Sequence, residues 1–504
     1  MSMMKKPKKP KRRLAGKVSH MANRALEGLQ PERVFYYFEE ISRIPRPSYH
    51  EKAISDYMVG FAKDHGLQWQ QDEKNNVIMI RPASAGYEDE APVIIQGHMD
   101  MVCEKEADCG KDMEKEGLDL VVDGDLVSAK GTTLGGDDGI AVAYALALLE
   151  DETFSAPRLE FVCTTSEETG MEGAHHIDLS ICKGRRFLNI DSEEEGTLLA
   201  SCAGGGRLVA RLGVKREKAE GARLSITVDG LLGGHSGAEI HKGRANADMV
   251  MARVLRRLGQ KTDIRLAAFA GGEKDNAIPW QAKATIVVAD AAAGDVKDLV
   301  AKEAEKIAAE YGVADPGLKV SVDQADGVPE GALTAEDTKK IICLMLSLPN
   351  GVIRMSDQIE GLVETSLNLG ILKLEDNEFS LTYALRSSVS SAYEALREDM
   401  RFLAEGYGAD VEARSEYPAW QFVAESPLRE KMKAVYKEQT GKELTVEAIH
   451  AGLECGIFAE KLPGMDAVSF GPDIFDIHTP KERMSVSSVE RVYRFLREVI
   501  SRKE

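Results

Sequence analysis

Apolar positions recur along this chain with two periods. Between Pro31 and Ile44, the residues Val34, Phe35, Phe38 and Ile41 share one side of a 3.6-residue repeat and predict a helix. A PRPS break follows. Ser48 and Glu51 then have the spacing of a capping box, which predicts a second helix running to His65 and stopped by Gly66. Short apolar runs at Val77–Ile80, Val93–Gln96, Leu159–Thr165 and Phe187–Ile190 read as strands. Gly139–Leu149 reads as a buried helix, too short to span a bilayer. Strands and helices alternate, which is the pattern of an α/β sheet with buried central strands.

The texture changes after Gly204–Gly206. Arg207–Val214 and Leu224–Val228 alternate like half-exposed strands. Ala247, Val250, Met251, Val254, Leu255 and Leu258 mark an amphipathic helix. Val296–Tyr311 and Ala392–Tyr407 predict two surface helices that end in similar text, AAEYG and AEGYG, each followed by a strand. From about Tyr417 buried α/β character returns, with Val468–Phe470 as a strand. The expected organisation is a basic, disordered tail over 1–22 and an α/β domain in two parts, 23–204 and 417–504. An α+β domain inserted over 205–416 separates those parts.

Composition narrows the function. The chain has 504 residues, 43% hydrophobic and 29% charged, so a large core can form. Its net charge is −19 although the first seventeen residues hold eight Lys or Arg and no acid, so the body is more acidic still. An acidic body repels phosphate backbones, and no nucleic-acid partner is expected. The basic tail lacks a following apolar segment and is not a secretory signal. No membrane association is expected. Seven scattered cysteines with no CxxC pair argue against a disulfide framework and favour a reducing cytoplasm.

Candidate chemistry is concentrated in five stretches: QGHMD (96–100), LGGDDG (134–139), TTSEETG (164–170), NIDSEE (189–194) and DIHTP (476–480). Four follow a strand or turn and the second precedes a helix; ligands of open α/β sheets bind at the carboxyl ends of strands. Each stretch alone also has an ordinary structural reading. His98 and Asp100 are two apart and face one way in extended chain, as a ligand with its orienting carboxylate or as a strand cap. Asp137 is free to bridge cations if Asp138 is the helix cap. Glu193–Glu195 read as a solvated loop. Together the stretches offer mixed His and carboxylate donors that suit Zn²⁺ or Mn²⁺, enough for two ions about 3.5–4 Å apart. In TTSEETG one glutamate can then ligate while its neighbour takes a proton from water.

HMD, GGDDG, SEETGMEG, NIDSEE and the late HTP, in this order, resemble the dinuclear metallopeptidase family of aminoacyl-histidine (Xaa-His, β-alanyl-histidine) dipeptidases, from about residue 24 to 500. The resemblance implies a mixed-sheet catalytic domain with an inserted α+β lid. It implies that His98 and Asp191 bind one metal, that Glu168 and His478 bind the other, and that Asp137 bridges them. Asp100 would orient His98, and Glu167 would be the general base. In the lid, His235 of GGHSG would stabilise the oxyanion, often across a subunit boundary. Asn276 of DNAIP and Arg386 of ALRSS would contact substrate, Arg386 through its carboxylate. HAGLECG (450–456) also matches, with no ligand assigned to it. Relatives often read GADNG where this chain has GGDDG. The implied protein is a cytoplasmic homodimer, paired through the lid, that holds two divalent ions, Zn or else Mn or Co, and cleaves unblocked dipeptides. The alternatives are an N-acyl amino acid deacylase on the same metals, and a metal-binding scaffold, which the presence of Glu167 opposes.

Overall fold

The computed structural model describes residues 24–325 and 331–503. The tail expected over 1–22 lies outside the described residues.

Two sheets organise the chain. The first has eight strands in the order Gln68–Gln71, Val77–Arg81, Leu159–Thr164, Val93–His98, Arg186–Asn189, Asp466–Ser469, Thr197–Cys202, Thr445–Ile449. It is mixed. Val93–His98 runs parallel to both its neighbours, whereas Val77–Arg81 is antiparallel to Leu159–Thr164. The two central strands are buried at every position, which is why they lack polar alternation. Odd positions of Val93–His98 and Leu159–Thr164 face helices Glu32–Ser42, Gly136–Glu150, Pro427–Thr440 and Val486–Ser501. Even positions face the short helices Glu172–His176 and Glu454–Lys461. Helix Gly136–Glu150 is apolar all round because it is enclosed between sheet and helices. Each fully buried aromatic beside it, such as Phe35 or Phe38, contributes about 1.5–3 kcal/mol over an exposed one.

Gly97 shows how closely this helix meets the sheet. A Cβ there would lie 2.5 Å from that of Ala141 and would also clash with the Asp138 carboxylate, so only glycine fits.

The second sheet has nine strands, all antiparallel and all between Gly204 and Tyr417. Leu208, Ala210 and Leu212 point into its core while Arg207 and Arg211 are partly exposed, the alternation expected there. Helices Ala247–Gly259, Ala293–Tyr311, Ala335–Ser347 and Ser390–Gly406 cover one face and close a separate core. The strands after the two similar helices, Lys319–Gln324 and Asp410–Tyr417, lie at opposite ends of the sheet order. No helix among the described residues is long and apolar enough to cross a membrane.

A four-stranded sheet, unforeseen in the sequence, pairs Arg483–Ser485 with Leu126–Ala129 and with Ile474–Phe475. It folds the segment from Ile474 to Ser485 back beside the loop before helix Gly136–Glu150.

The capping box at Ser48 and Glu51 does not form. Helix Lys52–Asp64 has Glu51 at its N-cap without a side-chain cap bond. Ser48 Oγ donates instead to Asp100 at 2.8 Å, and Glu51 accepts from Ser166 N and Oγ at 2.9 and 2.8 Å. Tertiary partners outcompete the local pairing because they anchor turns that carry the site.

Candidate active site

Five chain segments converge where the central strands end. His98 is the last residue of its strand, and its Nε2 lies 3.1 Å from Asp137 Oδ1 and 3.6 Å from Asp191 Oδ1. The other oxygen of Asp137 lies 3.1 Å from His478 Nε2, which is 3.0 Å from Glu168 Oε1. One carboxylate therefore faces two histidines from opposite ends of the chain. Three sets of donor atoms fall within 4.8 Å of one another: His98, Asp137 and Asp191; Asp137, Glu168 and His478; and His98, Glu167 and Glu168. The first two sets share Asp137, and their His and carboxylate donors suit Zn²⁺ or Mn²⁺.

Asp100 is fully buried beneath them. Its Oδ1 lies 3.4 Å from His98 Nδ1 and accepts from Glu167 N at 3.1 Å, while Oδ2 accepts from Glu168 N at 3.4 Å. Asp100 thus holds the histidine ring, through its backbone O at 3.1 Å from Nδ1 as well as its carboxylate, and the carboxylate also holds the Glu167–Glu168 turn. The neighbouring glutamates diverge: Glu168 reaches His478, and Glu167 lies with His98 and Glu168. His478 has φ of 60°, a left-handed conformation unusual for a non-glycine residue and of the kind that clusters at functional sites.

Asp138 is not the helix cap expected of it. Its carboxylate accepts from His98 N at 3.2 Å, and burial pushes it well above the usual carboxylate range, with Asp191 adding to the rise. Glu482 covers the exposed amides instead, accepting from Leu134 N, Gly135 N and Gly136 N at 2.8, 3.0 and 2.8 Å. The Arg46 guanidinium, also buried, donates to Met99 O and Asp100 O at 3.1 and 3.2 Å and to Gly135 O at 2.6 Å. Arg46 and Glu482 pin the two loops that present Asp137 and Asp100. Neither was foreseen; the only local hints were the PRPS break beside Arg46 and the place of Glu482 four residues after His478.

Charge is unevenly settled here. Burial acts to raise Asp137, but hydrogen bonds from His478 and His98 hold it well below its ordinary value. The same bonds, with Asp137 and Glu168, push His478 up to about 10. Burial would lower His98, yet Asp100, Asp137 and Asp191 together raise it. Burial pushes Glu167 well above the usual range, against the pull of His98. Glu193 and Glu195 are not a solvated loop. Burial, then Asp137 and Asp191, push Glu193 up to about 8, and Glu195 pairs with Arg491 at 2.6 Å.

The residues expected in the insertion form a second group. His235 Nδ1 accepts from Gly237 N and Ala238 N at 3.2 and 3.0 Å. Arg386 is buried and donates to Tyr417 Oη at 2.9 Å; its Nε has no hydrogen-bond partner among the described residues. A Cβ on Gly237 would lie 2.5 Å from His450 O, 3.0 Å from His235 Cε1 and 3.1 Å from Arg386 Nε, so the three residues meet at that glycine. Burial and the Arg386 charge lower His235, and they press His450 down to about 3. Asn276 is exposed beside them, its carbonyl accepting from Ser236 N at 2.8 Å. Among the described residues no hydrogen bond or ion pair joins this group to the His98–His478 cluster.

Comparison with known proteins gives one consistent answer. The profile of Peptidase family M20/M25/M40 matches residues 94–502. The cytosol non-specific dipeptidase of Escherichia coli (strain K12) is 38% identical over 477 residues, covering 94% of this chain and 98% of the relative. The crystal structure of aminoacylhistidine dipeptidase from Vibrio alginolyticus superposes with a TM-score of 0.89 at 34% identity, covering 95% of this chain and 98% of that one. Aminopeptidase PepT from Bacillus cereus, at 16% identity and a TM-score of 0.54, shares the fold.

Proposed function

The chain belongs to peptidase family M20/M25/M40, and from that premise we propose a cytosolic, metal-dependent dipeptidase of the aminoacylhistidine dipeptidase type. The reading rests on one observation above others: the two oxygens of Asp137 lie 3.1 Å from two histidines, each beside a further carboxylate. His98 and Asp191 would hold one divalent cation, Glu168 and His478 a second, and Asp137 both, with zinc the first choice and manganese or cobalt able to replace it. When bound, such a pair activates water and polarises the scissile carbonyl.

The side chains divide the remaining work. Asp100 fixes the His98 ring. Glu167 takes the proton of the attacking water and returns it to the leaving amine. His235, its Nδ1 already engaged by backbone amides, offers Nε2 to the oxyanion. Arg386 binds the C-terminal carboxylate of the dipeptide, and Asn276 adds a polar contact. The insertion, residues 205–416, acts as a lid whose closure joins the two groups and excludes water. It also carries the surface for a second copy: the strand Gly351–Met355 exposes Val352, Ile353 and Met355.

The test is hydrolysis by metal-free protein reconstituted with zinc, manganese or cobalt. Unblocked dipeptides should be cleaved and N-acyl amino acids left intact. Turnover of N-acyl amino acids with dipeptides untouched would replace the dipeptidase with a deacylase.

A further inference from the structure

A second polar layer lies beneath the strand ends that carry the candidate ligands. Gln96 stands two residues before His98, Asn189 two before Asp191 and Thr164 three before Glu167. In register, Gln96 pairs with Asn189 and Thr164 with His98. The preceding positions on the same sheet face, Ile94, Val162 and Phe187, are apolar and belong to the same core as Phe458. Three fully buried polar side chains thus interrupt an apolar face just below the site.

They are gathered by a residue from a distant part of the chain. Glu454, first residue of helix Glu454–Lys461, is fully buried. Its Oε2 accepts from Gln96 Nε2 at 2.5 Å and from Thr164 Oγ1 at 2.7 Å. Gln96 Oε1 in turn accepts from Asn189 Nδ2 at 2.6 Å. The network therefore crosses three adjacent strands. Burying a carboxyl is costly, and an apolar side chain would fill this space at less expense. Burial pushes Glu454 up to about 8, against the pull of His98 and the Thr164 hydrogen bond, so the neutral acid dominates near pH 7.

We propose that Glu454 is a positioning residue, whose carboxyl clamps strands Val93–His98 and Leu159–Thr164 at the level where one delivers His98 and the other turns into Glu167 and Glu168. The inference rests on the dipeptidase reading. Its mechanism is alignment: the general base must stand at a fixed distance from the ligands, and a displacement of about 1 Å costs on the order of 100-fold in rate. HAGLECG, which contains Glu454, thereby acquires a role beneath the site.

The test compares Glu454→Ala, Glu454→Gln and Thr164→Val in the full-length, metal-reconstituted protein. Glu454→Ala should lower kcat on the order of 100-fold with KM little changed and metal content retained. Glu454→Gln keeps an acceptor for Gln96 and Thr164, and should recover to within about tenfold of wild type, the scale of one altered neutral hydrogen bond. With cobalt in the site, the visible absorption band should shift in Glu454→Ala and return in Glu454→Gln. If Glu454→Ala does not fold, Thr164→Val decides: it removes one arm of the clamp and must lower kcat without raising KM. A folded, metal-loaded Glu454→Ala with wild-type kcat overturns the proposal, as does a Gln variant as impaired as the Ala variant. So does a Thr164→Val variant with unchanged kcat. A wild type that cleaves no dipeptide counts against the dipeptidase reading, whereas equal activity in wild type and variants counts against Glu454 alone.

Discussion

Two polar groups, one at the end of the eight-stranded sheet and one where Arg386 of the nine-stranded sheet meets His235 and His450, are built with opposite charge. In the first, carboxylates outnumber histidines and each histidine touches at least two acids. In the second, burial and then the Arg386 charge lower both His235 and His450, and the guanidinium donates to the Tyr417 hydroxyl. An acidic cluster suits cations; a basic one suits a substrate carboxylate or a developing oxyanion. On the proposed reading, chemistry falls to the first group and recognition to the second, so each can be perturbed alone.

The sharpest test strikes the acidic layer. Glu167→Gln should lower kcat by about 10²–10⁴-fold while metal content holds, as loss of a general base does. An unchanged kcat removes Glu167 from the chemistry. The basic layer should respond differently. Arg386→Ala should raise KM and lower kcat/KM by about 10–100-fold with kcat nearly kept, the scale of a charge-assisted hydrogen bond. An equal fall in kcat would merge the two layers into one.

A third effect is on stability and concerns pH. His450 has a folded value near 3, against about 6.5 in an unfolded chain. Below about pH 6.5 the unfolded chain binds a proton the folded one refuses, so stability falls as pH drops from about 6.5 toward about 3. Above that window His450 is neutral in both states and imposes no loss. Melting temperatures across this range should fall less steeply for His450→Gln than for wild type; parallel slopes would show that His450 does not titrate on unfolding.

The acidic layer was the more legible in sequence. His98, Glu168, Asp191 and His478 lie in short stretches that follow apolar strands or turns, and Asp137 lies in a glycine-rich stretch before an apolar helix, so composition alone marked the places. What supports them was not legible. Glu482 reaches the amides of 134–136 from some 350 positions away, and Glu454 reaches Gln96 from 358. Such bonds depend on the fold and leave at most a faint local hint. Ser48 and Glu51 show the converse, a strong local signal overridden by partners at Asp100 and Ser166. Asp138 was misread because a carboxylate at a helix start resembles a cap, while its actual partner, His98 N, lies on the strand Val93–His98.

The return of the last segment onto the Asp137 loop has a consequence for biosynthesis. Until His478 and Glu482 have been added, a growing chain lacks both a candidate ligand and the acceptor that shapes the loop presenting Asp137. Ribosome-bound intermediates would then sequester ions poorly, and the candidate centre would be assembled only once His478 and Glu482 have emerged.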